Sequence, residues 1–159
     1  MADLQNLTTL RSLNLETTAI TDAGMRNLEG LTNLEDLNLF QTEVGDPGLA
    51  RLKGLKKLRR LSLWMTNVTD SGLAHLAGLT NLQKLDLQST AITDAGLKHL
   101  AGLTNLQALN LQDTSVSDAG LAHLASLRSL RSLRVTDTQV TDAGAQALRK
   151  VLPQLKITH

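Results

Sequence analysis

Leu82-Gln83-Lys84-Leu85-Asp86-Leu87-Gln88-Ser89-Thr90-Ala91-Ile92-Thr93-Asp94-Ala95-Gly96-Leu97 is one copy of a unit that recurs every 24 residues along the chain. Leu13, Leu37, Leu61, Leu85, Leu109 and Leu133 share one column of this repeat, and Leu15, Leu39, Leu63, Leu87, Leu111 and Val135 share the column two places on. Thr18, Thr42, Thr66, Thr90, Thr114 and Thr138 make a third column, and Gly24, Gly48, Gly72, Gly96, Gly120 and Gly144 a fourth. A fixed period of this length is the mark of a solenoid, in which each unit buries its apolar side against the units before and after it.

Within one unit, Leu85-Asp86-Leu87 alternates with period two, as a short strand with one buried face requires. Thr90 falls where the chain must turn. Leu97, Leu100 and Leu103 then follow at helical spacing. Thr93 or Asp94 suits the N-cap of that helix, and the acidic column Asp22, Asp46, Asp70, Asp94, Asp118 and Asp142 is expected to cap helix after helix at the positive end of the dipole. Pro47 follows Asp46, consistent with a helix start. Gly30, Gly54, Gly78 and Gly102 stand where each helix should end, and predict left-handed C-terminal residues. Strands joined by helical crossovers make a parallel sheet. Strands stack about 4.8 Å apart whereas helices need about 10 Å, so the stack is expected to curve with the sheet on the concave side.

The pattern Leu82-x-x-Leu85-x-Leu87-x-x-Thr90-x-Ile92 resembles the leucine-rich repeat signature, with Thr where the family has Asn or Cys. Thr93-Asp94-Ala95-Gly96-Leu97 is similar to the ITDxGL stretch of bacterial and F-box-associated, cysteine-containing leucine-rich repeats. The resemblance covers nearly the whole chain. It implies an α/β leucine-rich repeat solenoid, a right-handed arc with a concave parallel sheet and short convex helices, and a role in protein recognition. A Thr hydroxyl has fewer bonding groups than the family's amide, but it can still bond the backbone of a neighbouring turn.

The 159 residues show no break in composition, so residues 1–159 are expected to form one domain of six repeats and a closing strand near 155–157. That strand would place Leu155 and Ile157 22 residues after Leu133 and Val135, with Pro153 marking the turn before it. Leu4, Leu7 and Leu10 match Leu76, Leu79 and Leu82, so the chain opens in the last turn of a repeat with no polar cap ahead of it. An open sheet edge near Arg11 to Glu16 with uncovered leucines predicts self-association, and the start reads as an excised fragment or a consensus-style sequence.

A formal charge of +1 argues against nucleic-acid and acidic-membrane partners. Met1-Ala2-Asp3-Leu4 has no basic and apolar leader pattern, and no apolar stretch reaches membrane-spanning length; the compartment stays open. The absence of cysteine excludes a thiolate metal site. His75, His99 and His123 share a column, but neighbouring helices are too far apart for tetrahedral zinc, and a solvated face is the simpler reading. Asn6-Leu7-Thr8 and Asn67-Val68-Thr69 match the glycosylation pattern, read as coincidence without a leader. The chain has no GxSxG, GxxxxGK or HExxH motif, so neither an enzyme nor a cofactor is expected. Lys56-Lys57-Leu58-Arg59-Arg60 is the densest basic run, yet one repeat back lie Glu35 and Asp36, which should pair with Arg59 and Arg60 on the adjacent strand.

The polar positions flanking the strand leucines should line the concave face. There the chain's only Phe and only Trp, Phe40 and Trp64, fall in adjacent strands with Met65 beside them. Asp36, Arg60, Lys84 and Asp86 surround them with charges of both signs. An apolar centre with a charged rim is the anatomy of a protein interface. The sequence therefore predicts a non-enzymatic module binding a protein or peptide partner through Phe40, Trp64, Met65, Asp36, Arg60, Lys84 and Asp86. The competing readings are a structural or self-associating scaffold without a dedicated external partner, and a recognition part of a larger enzyme complex.

Overall fold

The computed structural model describes Leu4 and residues 6–159; Met1 to Asp3, at the start of the chain, lie outside them. Seven three-residue strands form one open sheet in chain order: β1 (Ser12–Asn14), β2 (Asp36–Asn38), β3 (Arg60–Ser62), β4 (Lys84–Asp86), β5 (Ala108–Asn110), β6 (Ser132–Arg134) and β7 (Lys156–Thr158). Every pair is parallel, and the register is the repeat itself: Leu13 stands opposite Leu37, Leu61 opposite Leu85, and Leu109 opposite Leu133. Each strand leads to a short helix: α1 (Asp22–Met25), α2 (Asp46–Leu49), α3 (Asp70–Leu73), α4 (Asp94–Leu97), α5 (Asp118–Leu121) and α6 (Asp142–Val151). The first five pass directly into a 3-10 turn, such as Lys98–Leu100 after α4.

Leucines from the strands, helices and turns meet in one continuous aliphatic core, nearly all at zero to a few per cent exposure. Each fully buried leucine is worth roughly 1.5–3 kcal/mol against its exposed state. The core thins toward the first strand, where Leu4, Leu10, Leu13 and Leu15 are only partly buried. No helix among the described residues is long and apolar enough to cross a membrane.

Three local expectations are corrected. The closing strand is Lys156–Thr158, with Ile157 opposite Leu133, so the 24-residue register persists. Leu155 is buried just ahead of the strand instead of within it. No glycine has a positive φ. The left-handed residues are Thr17, Gln41, Met65, Ser89, Asp113 and Asp137, at φ 51–56°, each three places after the last residue of a strand. This bend aims their N–H groups at the next repeat, so Met65 N–H still donates to the Gln88 carbonyl at 3.0 Å and Ser89 N–H to Gln112 at 2.9 Å. Finally, the threonine column bonds within its own turn: the buried Thr90 hydroxyl donates to the Leu87 carbonyl at 2.5 Å, three residues back.

The aspartates are not the helix caps that the sequence suggested: each stands one place after the N-cap. The N-cap of α4 is Thr93, whose hydroxyl accepts the Ala95 N–H, while Asp94 reaches across to the next repeat and accepts the Ser117 N–H at 2.7 Å and its hydroxyl at 2.6 Å. Asp46, Asp70 and Asp118 hold Thr69, Thr93 and Thr141 in the same way. The column ends at Asp142, whose Oδ1 lies 2.5 Å from His159 Nε2. On the opposite rim an amide ladder also links repeats: Asn33, Asn81 and Asn105 donate to the carbonyls of Thr8, Lys56 and Thr80.

Candidate functional site

The strands are so short that each presents two outward side chains and one inward aliphatic residue, leucine in β1 to β6 as in Lys84-Leu85-Asp86 and Ile157 in β7. Repetition turns these outward positions into columns, and together they line a groove of about 600 Å³ over the sheet. Asp36, Arg60, Lys84 and Asp86 all line it. Arg60 donates from Nη2 to Asp36 Oδ2 at 2.6 Å, and its Nε stands in ion-pair contact with Oδ1. That hydrogen bonding, ahead of plain charge attraction, raises the Arg60 pKa above its ordinary value. Arg59 lies 3.4 Å from Glu35, so both pairings expected for the basic run are formed. Asp86 uses Oδ1 to accept the Gln88 N–H at 3.0 Å. Lys84 has no ion pair among the described residues.

Phe40, Trp64 and Met65 do not line this groove. They sit where the chain leaves β2 and β3. Asn38 positions Phe40, accepting its N–H at 3.0 Å, and Asn14 and Asn110 serve Glu16 and Gln112 likewise. The rings of Phe40 and Trp64 stack, with centroids 4.1 Å apart and planes 21° from parallel. Both residues are half-buried, and Met65 is 47% exposed. Trp64 Nε1 is shielded from solvent and has no hydrogen-bond partner. The site thus divides into a charged groove and an aromatic shelf.

Sequence reasoning omitted Arg134 from the site. It lines the far end of the groove and, like Lys84, has no ion pair among the described residues. Its signal was available, since Arg134 stands two places beyond Ser132 in the register that carries Lys84 and Asp86. No group of three or more His, Asp or Glu among the described residues is placed to hold a metal ion.

Two family models, both described as leucine-rich repeat, match the chain: one over residues 56–116 and 80–140, the other over 6–28 and 30–53. The chain belongs to the leucine-rich repeat family. Among solved structures it is similar to internalin C2 of Listeria monocytogenes, with a TM-score of 0.77 and 29% identity over 98% of this chain and 73% of that one. It shares its fold with an internalin F from the same organism, with a TM-score of 0.73 and 21% identity over 99% of this chain and 49% of that one. Comparison with curated proteins gives no match. The fold and family support a protein-interaction repeat module.

Proposed function

We propose that this chain is a non-enzymatic recognition module that holds a segment of a protein partner across the exposed face of its sheet. Phe40 and Trp64 anchor the segment, Met65 adapts to it, and Asp36, Arg60, Lys84 and Asp86 set its direction. The observation that most supports this reading is the stack of the chain's only Phe and only Trp, half-buried against each other beside a groove carrying charges of both signs. A stacked aromatic pair is a rigid platform that loses little conformational freedom on binding, and aromatic anchors with a polar surround are where interface energy concentrates. Met65 adds an unbranched side chain that fits irregular apolar surfaces. The unpaired Lys84 ammonium keeps its full donor capacity for an acidic or carbonyl group of the partner.

The test is capture of binding proteins on the immobilised chain, in parallel with a Phe40→Ala/Trp64→Ala double variant shown by circular dichroism to be folded. Proteins retained by the first and lost from the second support the reading. Identical capture profiles would reject it.

A further inference from the structure

Half of the cations in the central basic run meet carboxylates, whereas those of the last repeat do not. In the basic run flagged by the sequence, Arg59 and Arg60 meet Glu35 and Asp36, Lys57 donates to Asn33, and Lys56 donates to the Gly78 carbonyl. In the last repeat, Arg128, Arg131, Arg134, Arg149, Lys150 and Lys156 form no ion pair among the described residues. Three of these arginines are held in place by neutral backbone acceptors: Arg149 donates to the Ile157 carbonyl at 3.0 Å, and the other two flank a cavity. Arg128 donates to the Val151 carbonyl at 2.7 Å, and Arg131 to the carbonyls of Arg128 and Leu130 at 2.8 and 3.0 Å. Each bond uses one terminal nitrogen and leaves the rest of the guanidinium fork free. The cavity, of about 280 Å³, lies between Arg128, Arg131 and the turn before β7, lined on its far side by Val151, Leu152 and Pro153. Val151 is one of only three large apolar side chains exposed among the described residues, at 40%.

We infer that this cavity is a second docking site, separate from the groove over the sheet, for an acidic peptide segment of a protein partner that carries one aliphatic side chain. The cavity lining holds two arginines and no carboxylate, which selects for anions, and pre-oriented guanidinium groups bind carboxylates with less ordering cost than free arginines. The Val151–Pro153 wall supplies an apolar seat adjoining the charge, which a bare anion does not use.

The probe is a blocked, fluorescein-labelled pentapeptide with leucine flanked by two glutamates on each side, titrated into the full chain by anisotropy. We expect saturable binding that becomes about tenfold weaker in an R128Q/R131Q variant, since glutamine keeps a polar amide donor but carries no charge. Val151→Ser should also weaken it, whereas Trp64→Ala should leave it unchanged, which separates this site from the aromatic shelf. Equal affinity in R128Q/R131Q, equal loss in a K56Q/K57Q variant, or equally tight binding of inorganic phosphate or an all-glutamate peptide would overturn the proposal.

Discussion

Asp70 holds Thr93 through both of its carboxylate oxygens, Oδ1 accepting the backbone N–H at 2.8 Å and Oδ2 the hydroxyl at 2.6 Å. The two residues belong to successive repeats, so a helix-capping threonine is also the anchor point for its neighbour. The threonine hydroxyl donates to the aspartate and accepts from Ala95 N–H, leaving neither group unsatisfied. The glycine column follows from the same contact. A Cβ on Gly96 would fall well inside 3.0 Å of the Asp70 carboxylate, closer than real Cβ atoms approach.

Gly96→Ala should therefore destabilise the chain by about 1–3 kcal/mol, the usual cost of overpacking, despite alanine's better helix propensity. Gly102→Ala, where the nearest neighbour would be the Ala77 carbonyl at 4.0 Å, should be neutral or slightly stabilising. Urea midpoints of the two variants compare them directly; equal midpoints would detach the glycine column from the aspartates.

The pH response should carry the signature of this linkage. Asp118 accepts first the backbone N–H and then the hydroxyl of Thr141, which together hold its carboxyl below the ordinary value of 3.8. A carboxyl with a depressed folded pKa stabilises the fold above its unfolded pKa, and that contribution is lost as pH falls through the folded value. Asp118→Asn should thus lower the melting temperature at about pH 7, with the gap to the parent chain narrowing below about pH 3.8. A gap of constant size in thermal melts across this range would contradict the assignment.

Core substitutions should report position in the stack. Leu85→Ala opens a cavity at a site only 2% exposed and should cost about 2–5 kcal/mol. Leu13→Ala, in the same column but partly buried at the first strand, should cost clearly less. Denaturant titration of both variants provides the comparison.

The left-handed residues offer a gain in stability. Ser89 sits at φ 51°, a conformation that costs most side chains about 1–2 kcal/mol and asparagine less. Ser89→Asn should raise the denaturation midpoint, and Ser89→Val should lower it.

For the proposed interface, Trp64→Ala should weaken binding of a captured partner by about 2 kcal/mol or more. Gln112→Ala, two strands away in the same column, should have little effect. Isothermal titration gives the affinities, and thermal melts separate lost binding from lost packing against Phe40. Normal binding with a markedly lower melting temperature would make Trp64 a packing residue.

The leucine columns, the parallel order of strands and the solenoid were legible in the sequence because they depend on periodicity alone. A 24-residue recurrence places like residues side by side whatever the detailed path, so Leu61 opposite Leu85 and the ion pair of Arg60 with Asp36 could be foreseen by counting. The tertiary structure alone decided where each polar side chain reaches once the repeats stack. Asp94 looks like a cap for its own helix, but the offset between successive repeats brings Ser117 within its reach. The same offset brings Gly120 against Asp94, the closeness that makes glycine necessary there. The left-handed turn falls on Met65 and Ser89, whose N–H groups continue the ladder to Gln88 and Gln112, and not on the glycines of the repeat. Phe40 and Trp64 were visible as neighbours, but their separation from the charged groove arises from where the chain bends out of β2 and β3. Bonds across repeats depend on rise and lateral offset, and those are set by the packing of the whole stack, not by any residue's immediate neighbours in the chain.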